Sequence, residues 1–123
     1  MSGAIAQDEG RPIGLELNRL ETVGDACRAY LMIENRSAAL ETFRLDLFAL
    51  DTDGVVARRL AIQLGPLPGD KTVIKLFDFT DVTCEGVGSV LLNEVLACEG
   101  ESGPREDCLS QIAVGTRSVP FLK

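Results

Sequence analysis

Apolar and polar positions alternate repeatedly along this chain, and a period of two is that of a strand with one buried face. Ile13, Leu15 and Leu17 alternate with Gly14, Glu16 and Asn18, while Cys27, Ala29, Leu31 and Ile33 alternate with Arg28, Tyr30, Met32 and Glu34. Strands are expected over 13–18 and 27–34, with the odd-numbered side chains of both facing one core. The turn chemistry of Thr22-Val23-Gly24-Asp25 makes them an antiparallel hairpin. Phe43, Leu45, Leu47 and Ala49 set the next strand, 43–50, which Asp51-Thr52-Asp53-Gly54 closes with an Asp-Gly pair suited to a tight turn. Its partner, 55–64, is expected to place Val56, Leu60, Ile62 and Leu64 on one face, with Arg58 and Arg59 marking a bend or a change of sheet.

Two prolines and two glycines in Gly65-Pro66-Leu67-Pro68-Gly69-Asp70 cannot sit inside a ladder, so this segment is a loop. The β-branched and aromatic run 72–79 reads as a strand. Residues 90–98 read two ways, since Leu91, Leu92, Val95 and Leu96 also fall at helical spacing; neighbouring strands favour a strand. A polar turn over 99–107 precedes a short final strand, 108–114. About seven strands with turn signals near every ten residues predict an all-β, antiparallel β-sandwich.

Composition narrows the function. A chain of 123 residues, 46 % hydrophobic, forms one domain with its own core. Twelve Lys and Arg against nineteen Asp and Glu leave a net charge of −7, the wrong sign for tracking nucleic acid or an anionic membrane surface. No His is present, which removes the commonest general base and the usual triads. Arg44, Asp46, Lys75 and Glu94 interrupt every apolar stretch short of the ~18 residues a spanning helix needs.

Ala4-Ile5-Ala6 before a polar, acidic stretch has the small-x-small form cut by signal peptidase, here before Gln7. Residues 1–12 are therefore expected to be a leader remnant and flexible segment, and 13–123 the domain. Cys27, Cys84, Cys98 and Cys108 are even in number and none shows CxxC spacing, so two disulfides are expected rather than zinc or a reduced core. Both features point to export, into the periplasm.

Candidate chemistry is thin. Asp51, Asp53 and Gly54 match the opening of a calcium loop but lack its further oxygen ligands and closing Glu, so a hairpin turn is the better reading. Asp78 and Asp81 could form an acid and base pair, against the plainer reading of solvated loop-end carboxylates. Asn35-Arg36-Ser37 fits a glycosylation sequon and is read as a loop. Arg58 and Arg59 are adjacent, so they point to opposite faces, which an edge strand permits; such charge protects an edge or marks one used by a partner. Phe48 and Phe77 are out of phase with some core positions, and core is the default for both. No cofactor or metal site is expected.

From residue 30 to residue 79 the chain resembles the immunoglobulin-like domains of exported bacterial proteins. The shared marks are the Asn35 loop, the Asp51 to Gly54 hairpin and the Leu67-Pro68-Gly69 loop leading to a strand. Cys27-Arg28, Leu76-Phe77-Asp78-Phe79, Cys84 and Leu91-Leu92-Asn93 more narrowly resemble small exported proteobacterial proteins of unknown function with twin-arginine signal sequences. The resemblance implies fold and compartment and carries over no catalytic residue. In such a sandwich, strand 26–34 antiparallel beside strand 71–79 would bring Cys27 toward Cys84 and leave Cys98 with Cys108, one of three connectivities. The expected function is a non-catalytic accessory or protein-binding module, with Asp51, Asp53, Arg58 and Arg59 as its partner surface. The alternative is a thiol-disulfide redox protein using a labile Cys98–Cys108 pair.

Overall fold

Odd-numbered apolar side chains pair β1 (Ile13–Val23) with β2 (Ala26–Asn35) through a two-residue turn in which Gly24 takes a φ of 60°. The computed structural model describes residues 10–123, so the expected cleavage site after Ala6 lies outside the described residues. The remaining strands are β3 (Leu40–Leu50), β4 (Val56–Gln63), β5 (Lys71–Phe79), β6 (Ser89–Gly100), β7 (Gly103–Pro104), β8 (Ile112–Thr116) and β9 (Phe121–Leu122). They form two sheets, β5-β2-β1-β8 and β4-β3-β6-β7, with β9 joining β6. The result is the expected all-β sandwich, its seven longer strands supplemented by two of two residues.

The core lies between the sheets. Ile13, Leu15, Leu17, Leu31 and Ile33 meet Phe43, Leu45, Leu47 and Leu92, all at most 1 % exposed. Burying each such aliphatic side chain contributes about 2 kcal/mol. Phe77 and Phe79 also turn inward, with ring centroids 5.7 Å apart in an edge-to-face pair.

Several expectations are corrected, and most corrections have one cause. Bulges insert a residue and reverse the side-chain parity beyond it. At Asn18 the register shifts, so β1 continues to Val23 with Leu20 packed on the core, past the predicted end at residue 18. A shift near Ala57 turns Val56 out of the face it was expected to share with Leu60 and Ile62, leaving it 56 % exposed. Residues 90–98 are strand: β6 bulges at Asn93 and Leu96, so its inward residues are Val90, Leu92, Val95 and Cys98. Spacings of two, three and three mimic a helix, which explains the ambiguity in the sequence.

Two departures have other causes. Cys108 precedes a 3-10 turn at Leu109–Gln111, and β8 begins only at Ile112. The sandwich is not wholly antiparallel, because β8 runs parallel to β1 and β9 parallel to β6. That follows from a chain that crosses between sheets after β7 and again after β8.

Candidate functional site

The residues nominated from sequence lie at and beside the end of the sandwich where β3 turns into β4. Asp51 Oδ1 accepts the backbone N–H groups of Asp53 and Val55, each at 2.9 Å, and so holds the turn from within. Gly54 supplies the positive φ, 82°, that the turn requires. Gly88 lies against the other side: a Cβ there would come within 2.6 Å of the Asp51 carbonyl oxygen, so only glycine permits this approach. Asp51 is thus a structural residue of the site, and Asp53 is exposed at its tip. Beyond the rigid turn stand Val55 and Val56, 59 % and 56 % exposed.

Arg58 reaches from β4 across the open seam between the sheets. Its Nε donates to the Thr80 carbonyl and its Nη2 to Asp81 Oδ2, both at 2.6 Å. The clasp ties the β4 edge to the end of β5. Arg59 points the other way, onto the outer face of its sheet, where Nε donates to Asp46 Oδ1 at 2.8 Å and the guanidinium lies 5.6 Å from the Phe48 ring centroid. Adjacent arginines on opposite faces are what the edge-strand reading requires, and both edges of this seam are edge strands.

Asp46 was missed from the sequence. Its side chain is 1 % exposed, yet it lies on the outer face, covered by Arg59 and by Asn93, whose Nδ2 donates to Oδ2 at 3.0 Å. Hydrogen bonding from Arg59 holds the Asp46 carboxyl below its ordinary range, against the upward push of burial, with Asn93 adding to the lowering. A charged residue between Leu45 and Leu47 in a central strand is the signal that could have found it. Val55 and Val56 were missed as exposed residues because the bulge that turns Val56 outward has no mark in a period of two.

The other candidates disperse. Asp78 pairs with Arg28, whose Nε donates to Oδ1 at 2.9 Å, and that hydrogen bond holds its carboxyl below the usual range. Asp81 belongs to the Arg58 clasp, so the two carboxylates answer different arginines. Asn35 is buried, donates to the Ala38 and Pro68 carbonyls and accepts from Ser37, organising its loop rather than presenting a sequon side chain. Among the described residues no three His, Cys, Asp or Glu groups converge in a way that could hold a metal ion.

The cysteines pair as expected, Cys27 with Cys84 and Cys98 with Cys108. Cys98 and Cys108 are 6 % and 5 % exposed, buried in the core rather than displayed on a loop. Among the described residues no helix is long and apolar enough to cross a membrane.

No family model matches the chain, and no curated protein matches its sequence. Among solved structures, IrmA from Escherichia coli is similar in fold, with a TM-score of 0.59 and 16 % identity over 85 % of this chain and 91 % of IrmA. At that identity the likeness is one of fold: a small β-rich architecture shared with a bacterial protein.

Proposed function

We propose that this is an exported, periplasmic, non-catalytic module that binds a protein partner through the turn-end surface built by Asp51, Asp53, Val55, Val56 and Arg58. The observation that carries the reading is the pair of valines, more than half exposed at 59 % and 56 %, on a turn made rigid by the Asp51 hydrogen bonds and the close approach of Gly88. Apolar side chains fixed in water by a stiff scaffold lose little conformational entropy on docking, which is what a binding surface needs. Two disulfides support an oxidising compartment. The absence of enzymatic chemistry is part of the proposal and is supported by how the region's side chains are engaged: Arg58 and Arg59 pair with Asp81 and Asp46, and Asp51 holds the backbone of its turn.

A photo-crosslinking residue at Val56, expressed in the native host, tests it. One discrete protein adduct is expected from position 56, with none from the exposed control position Thr72 on β5. The double variant Val55→Asp, Val56→Asp should lose the partner while its urea midpoint stays within the change of about 0.5 kcal/mol usual for surface substitutions. Equal adducts from both positions, or none from either, would remove the proposal.

A further inference from the structure

A second feature lies on the opposite side of the molecule, at the far edge of β6. β3 carries no bulge between Phe43 and Ala49, so its peptide groups alternate strictly between its two neighbours. Those of Phe43 face β4, since the Leu64 N–H donates to the Phe43 carbonyl at 2.8 Å. The β6 residues opposite Phe43, Leu45, Leu47 and Ala49 are Cys98, Val95, Leu92 and Val90, and these therefore turn their peptide groups away from β3. At the two ends those groups are used: the Cys98 carbonyl accepts from the Arg105 N–H at 2.8 Å, and the Val90 N–H donates to the Pro120 carbonyl at 3.0 Å. Between β7 and β9, the Leu92 carbonyl and the N–H and carbonyl of Val95 face no partner strand among the described residues, the Leu92 N–H being taken by the Leu122 carbonyl in the parallel β6–β9 ladder.

That gap is a groove of about 470 Å³ whose lining includes consecutive residues of β6 from Glu94 to Glu99, so the backbone edge itself is open. Its apolar surface comes from Val95, Leu96 and Leu109, and its acids are Glu94, Glu99 and Asp107. Arg105, the one cation among the lining residues, directs its guanidinium to Ser37 Oγ at 2.9 Å and the Ala38 carbonyl at 3.1 Å. The other edges differ. β4 carries Arg58 and Arg59, β5 carries Lys71 and Lys75, and at β8 both Lys123 and Arg11 donate to the Ile112 carbonyl. Lys and Arg at an edge protect it from chance pairing; residues 92–98 carry neither.

We propose that this stretch of β6 is a docking slot for an extended, basic segment of a partner protein, which adds as a short strand between β7 and β9. Main-chain hydrogen bonds to the Leu92 carbonyl and to Val95 provide the attachment and the acidic rim selects the charge. The chain's own first nine residues do not suit the slot, since they contain Asp8 and Glu9 and no Lys or Arg. This site goes beyond the binding role proposed above and involves a different edge, so the Val55→Asp, Val56→Asp variant leaves it intact.

The test titrates the full, oxidised chain with end-blocked ten-residue peptides of alternating Lys and Val, or alternating Glu and Val, while amide hydrogen exchange is followed by NMR. The Lys–Val peptide is expected to bind saturably and to slow exchange at the Val95 amide. Glu94→Gln with Glu99→Gln, both exposed positions where folding is not at stake, should weaken it about fivefold, as two rim ion pairs would. No saturable binding, equal binding of the Glu–Val peptide, protection confined to β5, or closure of the slot by self-association without peptide would each overturn the proposal. The first two outcomes leave the Val56 crosslink untouched, so failure here and failure of the turn-end surface are separable.

Discussion

Asp46 and Glu16 are buried carboxylates on the outer faces of opposite sheets, and each is answered by an arginine from elsewhere in the chain, Arg59 and Arg117 respectively. The Asp46 pairing has a consequence in acid. Its folded-state pKa lies below the unfolded value of about 3.9, so the folded chain binds fewer protons there. Stability from this group is complete above the unfolded value and is lost as pH falls through the lowered folded one. Urea midpoints measured from pH 6 downward should fall below pH ~4, and Asp46→Asn should flatten that part of the curve while lowering the plateau. An unchanged acid slope in Asp46→Asn would show that the pair does not carry it. Arg59 is 64 % exposed, and Asp46 on the outer face is covered by Arg59 itself together with Asn93, so removing either partner lets the other rehydrate. Arg59→Ala and Asp46→Asn should therefore lower the urea midpoint near neutral pH by similar amounts, each about 1 kcal/mol or less.

The disulfides act on elements. Cys27–Cys84 ties the start of β2 to the short turn after β5 across a sequence separation of 57, and Cys98–Cys108 ties β6 to the segment before β8 across a separation of 10. In the chain-entropy account the first stabilises by about 4 kcal/mol and the second by about 3 kcal/mol. Paired alanine variants should lose stability in that order by urea denaturation, and the reverse order would show that packing around Cys98 and Cys108 outweighs loop length. This pairing was legible once β2 and β5 were placed side by side, because antiparallel neighbours bring opposite ends together. Alternation likewise revealed β1, β2 and β3, and a β-branched and aromatic run revealed β5. Alternation failed at Asn18, Ala57, Asn93 and Leu96, where a bulge resets the parity and no residue type announces it. The candidate surface suffered most from this. Asp51, Arg58 and Arg59 were found as charged residues at a turn and an edge, but Val56 was placed on one face with Leu60, Ile62 and Leu64, because the bend was read at Arg58 and Arg59 and the bulge falls before them, at Ala57.

For the molecule as a whole, structure and sequence agree on a disulfide-bonded β-sandwich. Both sides of the sandwich have open edges, and they differ in charge: Arg58, Arg59, Lys71 and Lys75 guard one, while an acidic groove lies at the other. A net charge of −7 keeps such a chain soluble while local sign decides where a partner approaches. The proposed function has the sandwich working oxidised, outside the cytoplasm, on a protein partner. Thiol-trapping mass spectrometry tests this most directly: the chain is alkylated without reduction in fractionated native cells, and co-purifying protein is measured for the unsubstituted chain and for Val55→Asp, Val56→Asp. A periplasmic chain with no alkylated cysteine and a stoichiometric companion that the double variant loses is expected. A cytoplasmic chain with four alkylated thiols, or a companion retained in full by the variant, would contradict the proposed function.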